Sequence, residues 1–207
     1  MKNFMEKYNV SRETFDCLKT YEASLNEWQQ KFNLVSKNSL ADAWNRHFAD
    51  SAQLFDYIPK KAEVLLDFGS GAGFPGMVLA IMAKEKTPYL KVKLIESINK
   101  KTLYLKHVAE ICNVNVEILN QRIEALPPQK ADVITSRAMA SLDELLNYTY
   151  RFCRPNTICI FPKGKSYAEE VAAAQKRWSF NYRAEPNQQN PEGVILIITA
   201  LHRKGVK

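Results

Sequence analysis

Glycine is scarce in this chain: seven in 207 residues, and four of them fall at 69, 71, 73 and 76. Other absences bound the function. No apolar run approaches the roughly 20 residues that a membrane-spanning helix needs. The opening Met1-Lys-Asn-Phe-Met-Glu-Lys-Tyr8 lacks the apolar core of a secretory signal. Cys17, Cys112, Cys153 and Cys159 are widely spaced or unsuited to a metal and include no C-x-x-C, so they read as free thiols of a reducing cytoplasm. His47, His107 and His202 are isolated, which argues against zinc. Internal repeats and low-complexity stretches are also missing.

What is present is ordinary for a soluble globular chain: 46% apolar and 25% charged residues, enough for one α/β domain with a modest extension. The formal net charge is +7. Such a balance favours polyanionic partners through phosphate neutralisation, although the cations are scattered rather than striped.

The clustered glycines follow a short apolar run, Val64–Phe68, that carries Asp67, and they precede the apolar Met77–Ala83. A strand that turns through glycines into a helix brings backbone N–H groups against a ligand. Two registers compete. Gly71, Gly73 and Gly76 satisfy the dinucleotide G-x-G-x-x-G pattern. Gly69, Gly71 and Gly73, with Asp67 two residues ahead, resemble motif I of the class I S-adenosyl-L-methionine (AdoMet) methyltransferases. Asp67 favours that second register, because a carboxylate can receive a ligand ammonium but repels a pyrophosphate. Glu96 ends the segment Lys91–Glu96 about 20 residues after the last glycine, the spacing of an acid that meets ribose hydroxyls in either cofactor.

Around this loop the pattern alternates. Helices are expected at 11–35 and 39–57, forming an N-terminal helical extension (1–60) closed by Pro59. The remainder (61–207) carries strands at 63–68, 91–96, 114–119, 131–136 and 156–162. Helices at 75–85, 98–112, 140–153 and 165–177 separate them. This is a doubly wound, mainly parallel α/β sheet. It ends in a C-terminal antiparallel hairpin, Trp178–Glu185 and Gly193–Leu201, joined through Asn190-Pro-Glu-Gly193. A Rossmann-like methyltransferase fold ends this way, whereas a two-half dinucleotide domain does not.

Ligands of open parallel sheets bind at the carboxyl ends of the strands. Those ends offer Asn120–Ala125, Thr135–Ser141 and Phe161–Lys165, and the extension adds Trp44–Ser51. Methyltransferases of exocyclic base amines usually carry Asn/Asp-Pro-Pro-Tyr/Phe after the fourth strand. Here Ser136-Arg137-Ala138 stands instead, a cation suited to an acceptor-rich or anionic target. A structural alternative for Arg137 is an ion pair with Glu124 or Asp67; for His47, burial within a helix face; for Trp28 and Trp44, helix packing.

Together, Asn33-Leu-Val-Ser36, Arg46-His-Phe-Ala-Asp-Ser51, Asp67–Gly76 ending in Gly-Phe-Pro-Gly, Ser136-Arg-Ala-Met-Ala-Ser-Leu142 and Lys163-Gly164 resemble the RsmG (GidB) family over nearly the whole chain. These are AdoMet-dependent methyltransferases of guanosine N7 in 16S ribosomal RNA of the small subunit. The resemblance implies AdoMet contacts at Gly69, Phe74, Ile123, Glu124 and Arg137, beside those expected at Asp67, Gly71, Gly73 and Glu96. It also suggests RNA or substrate contacts at Arg46, His47, Arg137, Lys163 and Lys165, with Asp50 orienting Arg46 or His47. No general base, no metal, a monomer and a cytoplasmic location complete the expectation. Two other readings stay open, an NAD-dependent Rossmann oxidoreductase and a non-catalytic RNA-binding module. Calorimetry separates the three: heat with AdoMet and none with NAD is expected, NAD binding indicates the oxidoreductase, and silence with both indicates the binding module.

Overall fold

The computed structural model describes residues 2–205 with the exception of 138. Its centre is one sheet of seven strands: β1 (Val64–Phe68), β2 (Lys91–Ile95), β3 (Val116–Leu119), β4 (Ala131–Ser136), β5 (Cys153–Lys163), β6 (Trp178–Pro186) and β7 (Val194–Arg203). They lie in the order β3-β2-β1-β4-β5-β7-β6. The first five run parallel, and β7 lies antiparallel between β5 and β6. The strand order therefore reverses between β1 and β4, where Asp67 pairs with Thr135 and Phe68 with Ser136. A crevice opens beyond the strand ends at such a switch point, and both the glycine loop and Arg137 leave the sheet there.

One face of the sheet carries α5 (Gly76–Lys86) and α6 (Asn99–Ile111); the other carries α7 (Leu142–Thr149) and α8 (Tyr167–Ala174). Every residue of α5 from Gly76 to Ala83 is buried. A helix apolar all round needs cover on both sides, and the extension supplies the outer one. Its helices α1 (Lys2–Tyr8) and α2 (Arg12–Gln29), with the segment after them, share one hydrophobic cluster with α5 and α6. Tyr21, Leu18, Leu25 and Phe48 are fully buried in it.

The alternation and the C-terminal hairpin follow the expected pattern to within a few residues. The extension does not. α1 was not expected, and α2 stops at Gln29 because that side chain turns back: its carbonyl accepts from Leu34 N (2.9 Å) and Val35 N (3.0 Å), and its amide donates to Val35 O (2.9 Å). The single helix expected over 39–57 is four pieces: α3 (Lys37–Leu40), a π-helical stretch Trp44–Ala49, the single turn α4 (Asp50–Ala52) and a 3-10 stretch Gln53–Tyr57. The N–H of Asp50 reaches Asn45 O, five residues back. The extra residue per turn lets His47, Phe48, Ala49 and Asp50 all be buried, which a regular α-helix with one inward stripe does not do. π-Turns of this kind recur at functional sites.

Gly76 begins α5 against the strand: a Cβ there would fall inside the Leu94 side chain and 2.6 Å from Asp67 Oδ2. Gly76→Ala is therefore expected to cost about 1–3 kcal/mol, read as a lower urea midpoint at unchanged slope.

Candidate active site

Beyond Phe68 the loop is pinned by short-range bonds. Ser70 N donates to Ile95 O (3.0 Å), and Gly73 N and Phe74 N both donate to Ser70 O (2.7 and 3.2 Å). Gly69 and Gly71 hold φ of +65° and +58°, the left-handed region that side chains other than glycine's rarely adopt. Asp67 is fully buried and accepts from Thr135 Oγ1 (2.8 Å) and Gly76 N (3.2 Å). Burial pushes its carboxyl up to about 6 although those bonds pull the other way. The carboxylate has no open side toward a ligand, so this acid braces the loop, β4 and α5. Glu96, nearly buried, accepts from Gly71 N (2.9 Å) with one oxygen and from Ile98 N (2.8 Å) with the other.

A cavity of about 330 Å³ opens on the exposed side of this loop, lined by Gly69, Gly71, Glu96, Ile123, Glu124 and Arg137 among others. Six residues expected from sequence to meet the cofactor (Gly69, Gly71, Glu96, Ile123, Glu124 and Arg137) thus converge on one hollow of a size usual for small-molecule sites. Gly73 and Phe74 stand outside its walls. Gly73 is buried against the Tyr21 hydroxyl and Met77. The Phe74 ring lies between Tyr21 (centroids 5.3 Å, 11° between planes) and His47 (4.7 Å, 21°).

A second, wider cleft of about 880 Å³ adjoins the first; Arg137, Met139 and Ala140 line both. Its walls include Arg46, His47, Asp50, Lys163 and Asn187. Arg137 is the hub. Nη1 donates to Arg46 O (2.8 Å) and lies 3.3 Å from Asp50 Oδ2; Nη2 contacts His47 Nδ1 (2.7 Å); the guanidinium sits 5.3 Å from the Phe74 ring centroid. The ion-pair partner is thus Asp50, not the Glu124 or Asp67 weighed from sequence. Asp50 correspondingly holds Arg137, Gln53 (3.1 Å) and Asn187 (2.8 Å), and bonds to neither the Arg46 nor the His47 side chain, contrary to expectation.

An arginine only donates, so His47 Nδ1 accepts from it and the proton sits on Nε2, which has no partner among the described residues. Burial, then the cations Arg137 and Arg46, hold the imidazole down to about 3. Lys163 Nζ reaches Glu170 Oε2 (2.8 Å) and Ala140 O (3.2 Å). Lys165 is exposed and lines neither hollow. Gln53, Glu170, Asn187 and Asn190 were missed from sequence. The Asn187–Asn190 turn brings its own wall to the cleft by hydrogen-bonding to the extension, and an isolated Gln or a polar turn carries no pattern that announces this.

The family described as rRNA small subunit methyltransferase G (GidB) matches residues 15–192. The chain is 41% identical over 205 residues to the ribosomal RNA small subunit methyltransferase G of Rhodospirillum centenum, covering 99% of this chain and 93% of that one. It is 38% identical to the protein of the same name from Cereibacter sphaeroides, covering 97% of each.

The chain belongs to this family.

Its fold is that of AdoMet-dependent methyltransferases in general. A ribosomal protein L11 methylase of Lactobacillus delbrueckii superposes with a TM-score of 0.59 at 14% identity, over 74% of this chain and 77% of that one. A TehB-like enzyme of Corynebacterium glutamicum gives 0.58 at 16% identity, over 86% and 98%. The protein is an AdoMet-dependent methyltransferase, and the reading of Gly71–Gly76 as an NAD fingerprint is not favoured. The glycine-floored hollow with its buried Glu96 fits the cofactor chemically: backbone without side chains on one side, a carboxylate for hydroxyls, and the apolar Ile123 for a base. A depressed imidazole titrates only far below neutrality. The Hε1 proton resonance of His47 is therefore expected to stay constant between pH 5 and 8, and a midpoint near 6.5 would contradict this geometry.

Proposed function

We propose that this enzyme methylates N7 of a guanosine in the 16S rRNA of the small ribosomal subunit, acting as a cytoplasmic monomer. One observation carries the reading: Arg137 stands in the wall common to the cofactor-sized hollow and the wider cleft. The names of the relatives support the substrate, and the net charge of +7 suits an RNA partner. In this reading residues 61–207 form the transferase and residues 1–60 complete its substrate side.

Bound AdoMet supplies a methyl group activated by a sulfonium. The protein contributes placement. Guanine N7 is a bare acceptor in the major-groove edge and carries no proton, so attack on a methyl group needs no base. The cleft fits that requirement. Asp50 is occupied by Arg137, Gln53 and Asn187; Glu170 is occupied by Lys163; the His47 acceptor nitrogen is occupied by Arg137. Rate then derives from holding the two reactants in line at near contact. Arg137, fixed on four sides, points a cation and donors at the junction, suited to guanine O6 or the cofactor carboxylate. A cation set directly against the purine ring would oppose the positive charge that methylation creates, so Arg46 and Lys163 are assigned to phosphate. Asp67 and Gly73 support the loop from behind, and Glu96 meets the ribose.

Arg137→Ala leaves Asp50 bonded to Gln53 and Asn187 but takes away its cation and the donor to His47 Nδ1. The chain is therefore expected to fold with a lowered thermal midpoint, and activity is compared at a temperature well below it. Methyl transfer to small subunits prepared without the modification is expected to fall at least 100-fold, the order of loss when a preorganised charged donor is removed. Wild-type turnover by this variant would sink the assignment. Protein-free rRNA serves as the parallel substrate, and failure of the unaltered enzyme on both would refute the substrate itself.

A further inference from the structure

A third hollow, of about 360 Å³, is lined by Phe4, Lys7, Tyr8, Phe15, Lys19, Glu22, Trp44, Asn45, Ala49 and Gln189. None of the residues assigned to cofactor or substrate lines it. Its floor is an aromatic cluster: Phe4 lies 5.2 Å from Trp44 edge to face, Phe15 5.2 Å from Trp44, and Phe4 4.6 Å from Tyr8. Phe15 and Tyr8 are buried, whereas Phe4 and Trp44 are only half-buried and keep ring surface toward the hollow. Trp44 is fixed in place by its Nε1–H bond to Glu22 Oε2 (2.7 Å).

Two exposed lysines stand at the rim. Lys7 Nζ lies 5.4 Å from the Tyr8 ring centroid, and Lys19 Nζ 5.3 Å from that of Phe15. Lys7 has no ion-pair partner among the described residues. Lys19 has only the half-exposed Asp16 (2.7 Å), a surface pair of a kind that contributes little. The hollow adjoins the substrate cleft. Gln189 lines both and bonds to the Tyr8 hydroxyl (3.3 Å), and the consecutive residues Asn45 and Arg46 line one each.

Ring surface to stack a base and cations beside it for the backbone are the parts from which single-stranded RNA sites are made, and here they stand next to the cleft. We propose that this hollow is a nucleotide subsite, taking one unpaired nucleotide of the RNA strand that presents the target guanosine. The base lies against Phe4 and Trp44, and the flanking phosphates meet Lys7 and Lys19. The proposal rests on the reading of the adjoining cleft as the RNA site. An apolar protein side chain would also fill the hollow, but it makes no use of two rim cations.

The test uses the full chain and small subunits lacking the modification. In the double variant Lys7→Glu/Lys19→Glu, KM for subunits is expected to rise at least 5-fold with unchanged AdoMet affinity. The salt dependence of log(kcat/KM) should become less steep by about 1.4, the value for two phosphate contacts to single-stranded RNA. Phe4→Ala, checked for an unchanged thermal midpoint, should raise KM by ~5-fold or more through lost stacking. Ultraviolet cross-linking of the complex should join the peptide containing Phe4 or Trp44 to a nucleotide near the methylated guanosine. KM and salt slope equal to wild type overturn the subsite while leaving the methyltransferase reading intact. A cross-link from this hollow to a ribosomal protein overturns it in favour of protein docking. Failure of the wild-type enzyme on any small-subunit substrate removes both the function and the subsite.

Discussion

The structure turns on one buried carboxylate. Asp67, at the end of β1, accepts from Thr135 on β4 and from the first N–H of α5. Those two bonds lock together the strands on either side of the switch point and the helix that follows the glycine loop. Burial disfavours the charge strongly enough to lift the carboxyl toward neutrality. The helix N-terminus offsets part of that cost. Gly76 must be glycine because the carboxylate and Leu94 occupy the volume of its Cβ. The hollow in front of the loop exists because the loop is held from behind.

A second constraint couples the extension to the sheet. α5 is apolar on every side and is covered by α2 and the segment around Phe48. The π-helical turn in that cover delivers Arg46 O, His47 and Asp50 to Arg137, which leaves the sheet 90 residues later. The C-terminal hairpin closes the same set through Asn187. Three segments remote in sequence thus orient one guanidinium. Its position is a property of the assembly rather than of any one of them, and positioning of this accuracy is what in-line transfer without a base requires.

Much of this was legible beforehand. The strand–glycine–helix unit, the alternation of elements and the terminal hairpin are local patterns, and each element formed near its expected bounds. The glycine loop was legible as a ligand-facing turn, but the part expected of Asp67 was not: its carboxylate lies behind the loop, bonded to Thr135 and Gly76, and faces no ligand. The extension was less so. Its apolar spacing at Trp44, Phe48 and Phe55 suits a regular helix, while the π-turn arises because four consecutive residues find burial or partners against α5, α2 and the hairpin. Arg137 was singled out from sequence, but its ion-pair partner was not. Glu124 and Asp67 were plausible by sequence position, and Asp50 became the partner only once the extension folded across the strand ends.

The chain's own residue order determined the sheet, the place of the cofactor loop and the candidate donors, because strand propensity, turn chemistry and charge act over a few neighbouring residues. Tertiary structure decided which side chains share a wall. Asp67 went to the back of the loop and Phe74 between Tyr21 and His47; Lys165 stayed outside, Asn187 was drawn into the wall, and Gln53 braces it from behind. The physical reason is burial. A polar group taken from water must find a partner, and which partners lie within 3 Å depends on how distant segments pack, a relation that no local pattern contains.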